Sequence, residues 1–574
     1  MKLYVRPAGV SGRRTRLDAF LPSNLHAVVV FAGLGVALFA SGRAAVFSAS
    51  GLDGAGFQNV VAVDPFNRSV LMGADTSGFH LSSTANGNGD LFVTSNSGLV
   101  GAERHSAAIA FSQVTNGLVY VATGTGGASG STGGGIFKST NHGASWTRMS
   151  NVPQFHGANQ QGVGTSEHPR GTGRLIALDE STSRPDGTPS YIYVGTFDDG
   201  VMRSTDGGAT WARIGLKGKF IRSIALNPDS PGVLFVATSG NGAFKSSTVR
   251  TFAGLGATDT SNGAFGSSLA GSPAIVEELL HLGGSQFFAA CGPSGIYQIT
   301  GGGITWTPVN NGLYTGGGSQ PAPKWAAIDG FVPVSGVATL YVSCENPYVP
   351  AGGPGAQSIM KSTNGGASFT QVTTATSVEY TIANASGAPW WLSDAGAHPE
   401  NMLDMSGFIG AQIAIDPQGT SRIFIAGKSG AWRSLNGGST WFPIVKGLQV
   451  TINRFVAVDP HRPQRVYVGN VDYTFLSSDD RLTTVRRTAN PSAESVGYAL
   501  AFDTTTAPTA PSGVYAAIGD RDLNIGGEIY YNVNPEVTAN TWDPQGLAAA
   551  TGNKRPLAIA FNQVGGTKFL FAAV

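Results

Sequence analysis

The chain has 574 residues, more than one ordinary core needs, with 36 Lys and Arg against 35 Asp and Glu, a net charge of +1 and only 12% charged residues. A near-neutral chain with no basic stripe and no phosphate-cradling loop argues against a polyanion partner, so no nucleic acid is expected. The 81 glycines, together with Ser, Thr and Asn and no sustained helical period, point to an all-β fold of short strands and many turns.

At the N-terminus, Arg13, Arg14 and Arg16 precede an uncharged run from Ala27 to Ala40 and small residues from Ser41 to Ala45. That run is short for a membrane span and suits a signal h-region, so residues 1–45 read as a signal peptide of the Sec type; a single N-terminal anchor is the alternative. Export implies a secreted, extracellular or periplasmic protein with no stable membrane span. Cys291 and Cys344 hold similar places in successive repeats, which sets them too far apart for a disulfide and predicts two buried reduced thiols. No His/Cys cluster has metal-ligand spacing, so neither metal nor cofactor is expected, and the chain is expected to be a monomer.

From Val60 onward one element recurs: an apolar strand, often ending in Asp-Pro, a turn, then a second apolar strand. It begins with VVAVDPFNRSVLMGAD and returns as AIAFSQVTNGLVYVATG, AQIAIDPQGTSRIFIAGK and RFVAVDPHRPQRVYVGN, among ten copies, the last reaching Val574. A second motif follows most of them: STNHGASW from Ser139 to Trp146, STDGGATW from Ser204 to Trp211, STNGGASF from Ser362 to Phe369 and SLNGGSTW from Ser434 to Trp441. Frayed copies run from Ile299 to Trp306 and from Ser477 to Thr484. The Asn or Asp folds back onto backbone N–H groups, Gly supplies a positive φ, and the closing aromatic is an apolar anchor. This is the Asp-box pattern of β-propeller hairpin tips, and strand–turn–strand–box–strand is one four-stranded blade. Trp146, Trp211, Trp306 and Trp441 therefore read as structural.

Ten blades exceed one ring. Two tandem propellers are expected, the first over 50–400 and the second, incomplete, over 405–574: either a fragment of a longer protein or an unusual second domain.

Three stretches carry a resemblance: Gly54 to Gly78; the segment between the repeats at Ser139 and Ser204; and Gly387 to Asp480, through GAPWWLSDAG, GFIGAQIAIDP and GLQVTINRFVAVDPHRPQRVYVGNVDYTFLSSDD. They resemble glycoside hydrolase family 74, the xyloglucanases, whose two seven-bladed propellers face each other across a substrate cleft. The resemblance implies a secreted hydrolase of β-1,4-glucan-type polysaccharide such as xyloglucan, with Asp75 and Asp472 as the catalytic pair, Asp75 the base and Asp472 the acid. Inverting hydrolysis needs two carboxyl groups roughly 6.5–9.5 Å apart, one protonated and one ionised. Trp390 and Trp391 lie on an expected cleft loop and suit stacking on sugar rings, with inter-blade packing as the alternative for one of them. The chain departs from the family where Gly-Gly-x-Tyr-Arg is replaced by Ser77, Gly78, Phe79, His80 and Leu81, and where Val471 stands for Gly.

Against catalysis stands the ordinary role of propeller aspartates, which bond their own turns as expected at Asp64, Asp416, Asp459 and Asp543. The alternative function is a non-catalytic cell-surface or extracellular propeller that binds protein or glycan. A sialidase is disfavoured, because no early Arg-Ile-Pro segment or arginine triad is visible. His142 and His156 read as solvated loop residues, and Asp198 and Asp199 as a solvated turn.

Overall fold

The computed structural model describes most of residues 58–573, together with Phe31–Ala32 and Gly35–Val36; the longest stretches outside it are 1–30, 150–173 and 373–409, and 75–76 and 471–473 also fall outside. The expected export signal over 1–45 thus lies almost wholly beyond the described residues. Gly51–Gly497 forms one compact unit, and Tyr498–Val574 with the segment to Ser50 a second.

Among the described residues of the first unit, seven antiparallel sheets follow one another as blades. Blade 1 has strands Gln58–Val63, Val70–Ala74, Phe79–Ser82 and Phe92–Thr94. The inner strands of blades 2 to 7 are His105–Phe111, Ile176–Leu178, Phe220–Asn227, Glu278–His281, Trp325–Phe331 and Gly410–Ile415. The second strands are apolar along their whole length, as in Val119–Gly124, where every residue is buried. A strand sandwiched between neighbouring blades has no wet face, so β-branched runs replace alternation.

Each inner strand packs on the next, and the inner strand of blade 7 packs on that of blade 1, so the ring is closed. Closure is chemical as well as steric. Gln412 Oε1 accepts the Val61 N–H at 2.9 Å, Arg68 reaches Asp416 at 2.8 Å, and Arg422 donates to the Arg68 carbonyl at 2.8 Å. The sheet of 410–443, expected to open a second ring near 405, is therefore the seventh blade of the first, and the break between units falls after Gly497. Beyond it, a further sheet carries strands Asn453–Val458, Val466–Asn470, Thr474–Ser478 and Arg486–Arg487 within the same unit. The second unit contributes the sheet running from Val496–Asp503 to Asp543–Pro544 and the hairpin of Ala558–Val564 with Thr567–Ala573. The ten β units thus match the ten sequence repeats in order.

The repeated turns have one geometry. Ser139 Oγ donates to Asn141 Oδ1 and accepts the Gly143 N–H at 3.0 Å, while Asn141 Oδ1 accepts the Ser145 N–H at 3.0 Å. Ser204 with Asp206, Ser362 with Asn364 and Ser434 with Asn436 repeat it. The closing aromatics wedge inward: Trp441, Trp146 and Trp306 are buried, and Trp211 is half-buried. Blade 4 departs from the plan. Its described sheet has three strands, and the segment after Ser246 instead packs back on blade 3, where Leu255 donates to the Arg213 carbonyl at 2.9 Å.

Asp64, Asp416 and Asp459 are buried and cap their own turns, Asp64 Oδ1 accepting the Phe66 N–H at 2.8 Å. Asp543 differs: it lies exposed in a two-residue strand, because here Asp-Pro ends a sheet rather than joining its first two strands. His142 also departs from expectation. At φ 61° its Nδ1 lies 2.6 Å from Asp64 Oδ2, joining the turn of blade 2 to that of blade 1. Cys291 and Cys344 are buried thiols outside any disulfide, as expected.

Candidate active site

Asp75, Asp472, Trp390 and Trp391 all lie outside the described residues, as do His156 and Asp198. What is described is the frame around the first two. Because successive strands are antiparallel, the turns after every second strand emerge at one end of the ring, and the Asp-Pro and repeated turns at the other. Position 75 follows strand Val70–Ala74, and position 472 follows Val466–Asn470, so both belong to turns after a second strand. Ala74 and Val468 are members of one buried apolar cluster, with Val70, Met72 and Phe92 of blade 1 and Phe424 and Ala431 of blade 7.

The turn that holds position 75 is gripped at both ends. The Ala74 N–H donates to the Gly78 carbonyl at 2.8 Å. Asn96 Nδ2 donates to the Ser77 carbonyl at 2.7 Å, and Asn96 Oδ1 accepts the Phe79 N–H at 2.9 Å. Gly78 has φ 85°, and a Cβ there would run into Asn96, so glycine is required twice over. From blade 2, Ser106 Oγ donates to the Ala74 carbonyl at 2.7 Å. A β-bulge between Gln58 and Val60 aims Asn59 at Ser106, whose carbonyl its Nδ2 reaches at 3.1 Å.

The same grip recurs in blade 5. Cys291 N–H donates to the Gly295 carbonyl at 2.8 Å, Asn310 Nδ2 donates to the Ser294 carbonyl at 3.0 Å, and Asn310 Oδ1 accepts the Ile296 N–H at 2.7 Å. There Gly292 holds the place that Asp75 has in blade 1. The two asparagines share a motif that the repeat analysis passed over, Asn-x-Gly-Leu, at Asn96–Leu99 and Asn310–Leu313. Its second residue accepts the N–H of the next blade's closing aromatic, Trp146 on Ser97 and Phe369 on Asn311, each at 2.8 Å.

Phe79 and His80, which replace the family's aromatic–cation pair, are both buried. Neither His80 ring nitrogen has a partner, and burial pushes this imidazole down to about 4. Gln58 is likewise fully buried with both carboxamide atoms unpartnered, opposite Ala74 in the sheet. Asp199 stands 3.7 Å from Arg213.

A second polar constellation lies at the ring centre. A cavity of about 220 Å³ is lined by Gln113, Arg174, Asp329 and Gln412 among apolar inner-strand residues. Arg174 Nη2 meets Asp329 Oδ1 at 2.5 Å and its Nε stands 3.8 Å from Glu278 Oε1. Glu278 Oε2 accepts the Ile328 N–H, and Asp329 Oδ2 the Ile415 N–H. Burial pushes Glu278 up to about 7, with Arg174, the Ile328 N–H and Gln412 pulling the other way. These partners belong to blades 3, 5, 6 and 7 and are spent on one another, so the cluster ties the ring together across its axis. Among the described residues no group of three or more His, Cys, Asp and Glu could hold a metal ion, and no helix is long and apolar enough to cross a membrane.

Solved structures with this arrangement are glycoside hydrolases. The GH74 enzyme of Niastella koreensis is similar at a TM-score of 0.65 and 19% identity, over 90% of this chain and 70% of that one. The GH74 xyloglucanase from Xanthomonas campestris gives 0.64 and 18%, over 85% and 67%. An ancestral GH74 enzyme gives 0.54 and 14%, over 88% and 64%. The likeness is one of fold: an all-β propeller architecture of the glycoside-hydrolase type, spanning about two thirds of those chains. No protein-family model matches the chain, and no curated protein matches it significantly.

Proposed function

We propose that this protein is a secreted glycoside hydrolase that cleaves a β-1,4-glucan-type polysaccharide of the xyloglucan kind, by inversion, with Asp75 and Asp472 as its two carboxyl groups. The supporting observation is the shared apolar cluster. The strands that end one residue before Asp75 and two residues before Asp472 both contribute to it, through Ala74 and Val468. A second observation concerns Asp75 alone: blade 5 builds the same gripped turn with Gly292 in that place, so the turn does not need a carboxylate there. Asp75 as base activates water while Asp472 as acid protonates the leaving oxygen. Trp390 and Trp391 are assigned to stacking on the sugar.

The buried, neutral His80 and buried Phe79 favour a second reading, a propeller that binds glycan or protein without cleaving it, since they supply no exposed aromatic–cation pair. Reducing-sugar release from xyloglucan, mixed-linkage glucan and cellulose separates the two. Activity on one glycan, lost in Asp75→Ala and Asp472→Ala with folding intact, supports hydrolysis. A folded, inactive wild type that binds glycan supports the second.

A further inference from the structure

We infer that Asn96 is a positioning residue for the base: it holds the turn of Asp75 in register while touching no substrate. The inference rests on the reading of Asp75 as the base. Asn96 makes two hydrogen bonds to the turn's C-terminal side, to the Ser77 carbonyl and from the Phe79 N–H. Ser106 holds the other side at the Ala74 carbonyl, and the Asn59 carboxamide holds Ser106 in turn. A side chain whose neighbours on either side are fixed by four hydrogen bonds has few ways to move, and a base must be placed to within a fraction of an ångström of its water.

The load on Asn96 comes from outside its own blade. Trp146 of blade 2 donates its backbone N–H to Ser97 and its indole N–H to the Ser95 carbonyl at 2.7 Å, bracketing Asn96 on both sides. Its ring lies 5.7 Å from that of Phe79. The repeated turn of blade 2 thereby sets the position of the Asn96 carboxamide, which in turn sets the turn of position 75.

Blade 5 supplies the control. Asn310 makes the same two hydrogen bonds around a turn with Gly292 in the corresponding place, so Asn310→Ala removes a grip of equal structural weight with no base to misplace. The experiment measures kcat and KM on xyloglucan, with thermal melting, for wild type, Asn96→Ala, Asn96→Asp, Asn310→Ala and Asp75→Asn. The expected result is similar melting of the two alanine variants, a fall in kcat on the order of 10- to 100-fold with KM within about twofold for Asn96→Ala, and a kcat within about twofold of wild type for Asn310→Ala. Asn96→Asp keeps the acceptor for Phe79 and loses the donor to Ser77, so its kcat should fall between the two. An active enzyme silenced by Asp75→Asn but indifferent to Asn96→Ala, or slowed equally by both alanine variants, overturns the positioning role alone. A wild type without activity, or one that Asp75→Asn leaves active, overturns the reading of Asp75 and this inference with it.

Discussion

The Gln412 carboxamide oxygen takes the Val61 N–H at 2.9 Å across 351 residues of chain, and Gln412 is itself buried. It joins the last blade of the ring to the first where an inner strand would otherwise present an unpaired, dry donor. An orphaned buried N–H costs about 1–3 kcal/mol. Gln412→Leu should therefore lower unfolding stability by that amount, seen as a lower urea midpoint. A midpoint equal to wild type would show that closure rests on apolar packing alone.

The two proposed carboxyl groups should behave as a pair with unequal jobs. Asp75→Asn and Asp472→Asn are each expected to lower kcat by on the order of 10²–10⁴-fold, with unchanged circular dichroism. Azide added to the Asp75 variant should restore turnover if that residue activates the nucleophile, and leave the Asp472 variant unaffected on a substrate with an unactivated leaving group.

Two buried groups pull stability in opposite directions with pH. His80 binds its proton less readily when folded, being pushed from 6.5 down to about 4. The unfolded chain therefore takes up the proton first as pH falls, so stability present above about 6.5 is lost between there and about 4, by a few kcal/mol at most. His80→Leu should flatten that acid limb in a series of thermal melts.

Glu278 is the reverse case, pushed from 4.5 up to about 7. Folding favours its protonated form, so its contribution is fully present below about 4.5 and is lost as pH rises through about 7. Glu278→Gln should gain on wild type between pH 5 and 8, again by a few kcal/mol at most, and the two curves should run parallel below 4.5. A gap that stays constant across that range would mean that Arg174 keeps Glu278 ionised throughout.

Trp146 links two turns at opposite ends of the sheet. Trp146→Ala removes a buried ring and the indole bond to Ser95, at a cost of about 3–5 kcal/mol. Trp146→Phe should recover most of the packing but not that bond, and a melting temperature equal to wild type would mean that the bond adds nothing.

The blade plan was readable because it is local. Each strand pair, Asp-Pro turn and box lies within about forty residues, and ten copies let the pattern stand out from chance. Ring closure was not readable, because Gln412 and Val61 look like ordinary strand residues until the ring brings them together. That is why the 410–443 sheet was assigned to a second ring. His142 was misjudged for a related reason: its partner Asp64 lies on the preceding blade. The central cluster of Arg174, Glu278, Asp329 and Gln412 leaves no spacing signature, since one residue comes from each of four inner strands. Asn96 was legible in principle, through its twin at Asn310. Two copies of a four-residue motif simply weigh less than four copies of an eight-residue one.

The closed ring also dictates an order of events on the unfolded chain. Every described blade is built from one continuous stretch, so each sheet can form from its own neighbourhood as soon as it exists. Joining blade 7 to blade 1 is different, since it must overcome the entropy of a loop of 351 residues, on the order of 5 kcal/mol before any contact rewards it. A chain that has not yet reached Gln412 therefore carries an open arc with sticky sides at both ends. Whatever machinery handles this polypeptide must shield those sides until the final arc arrives.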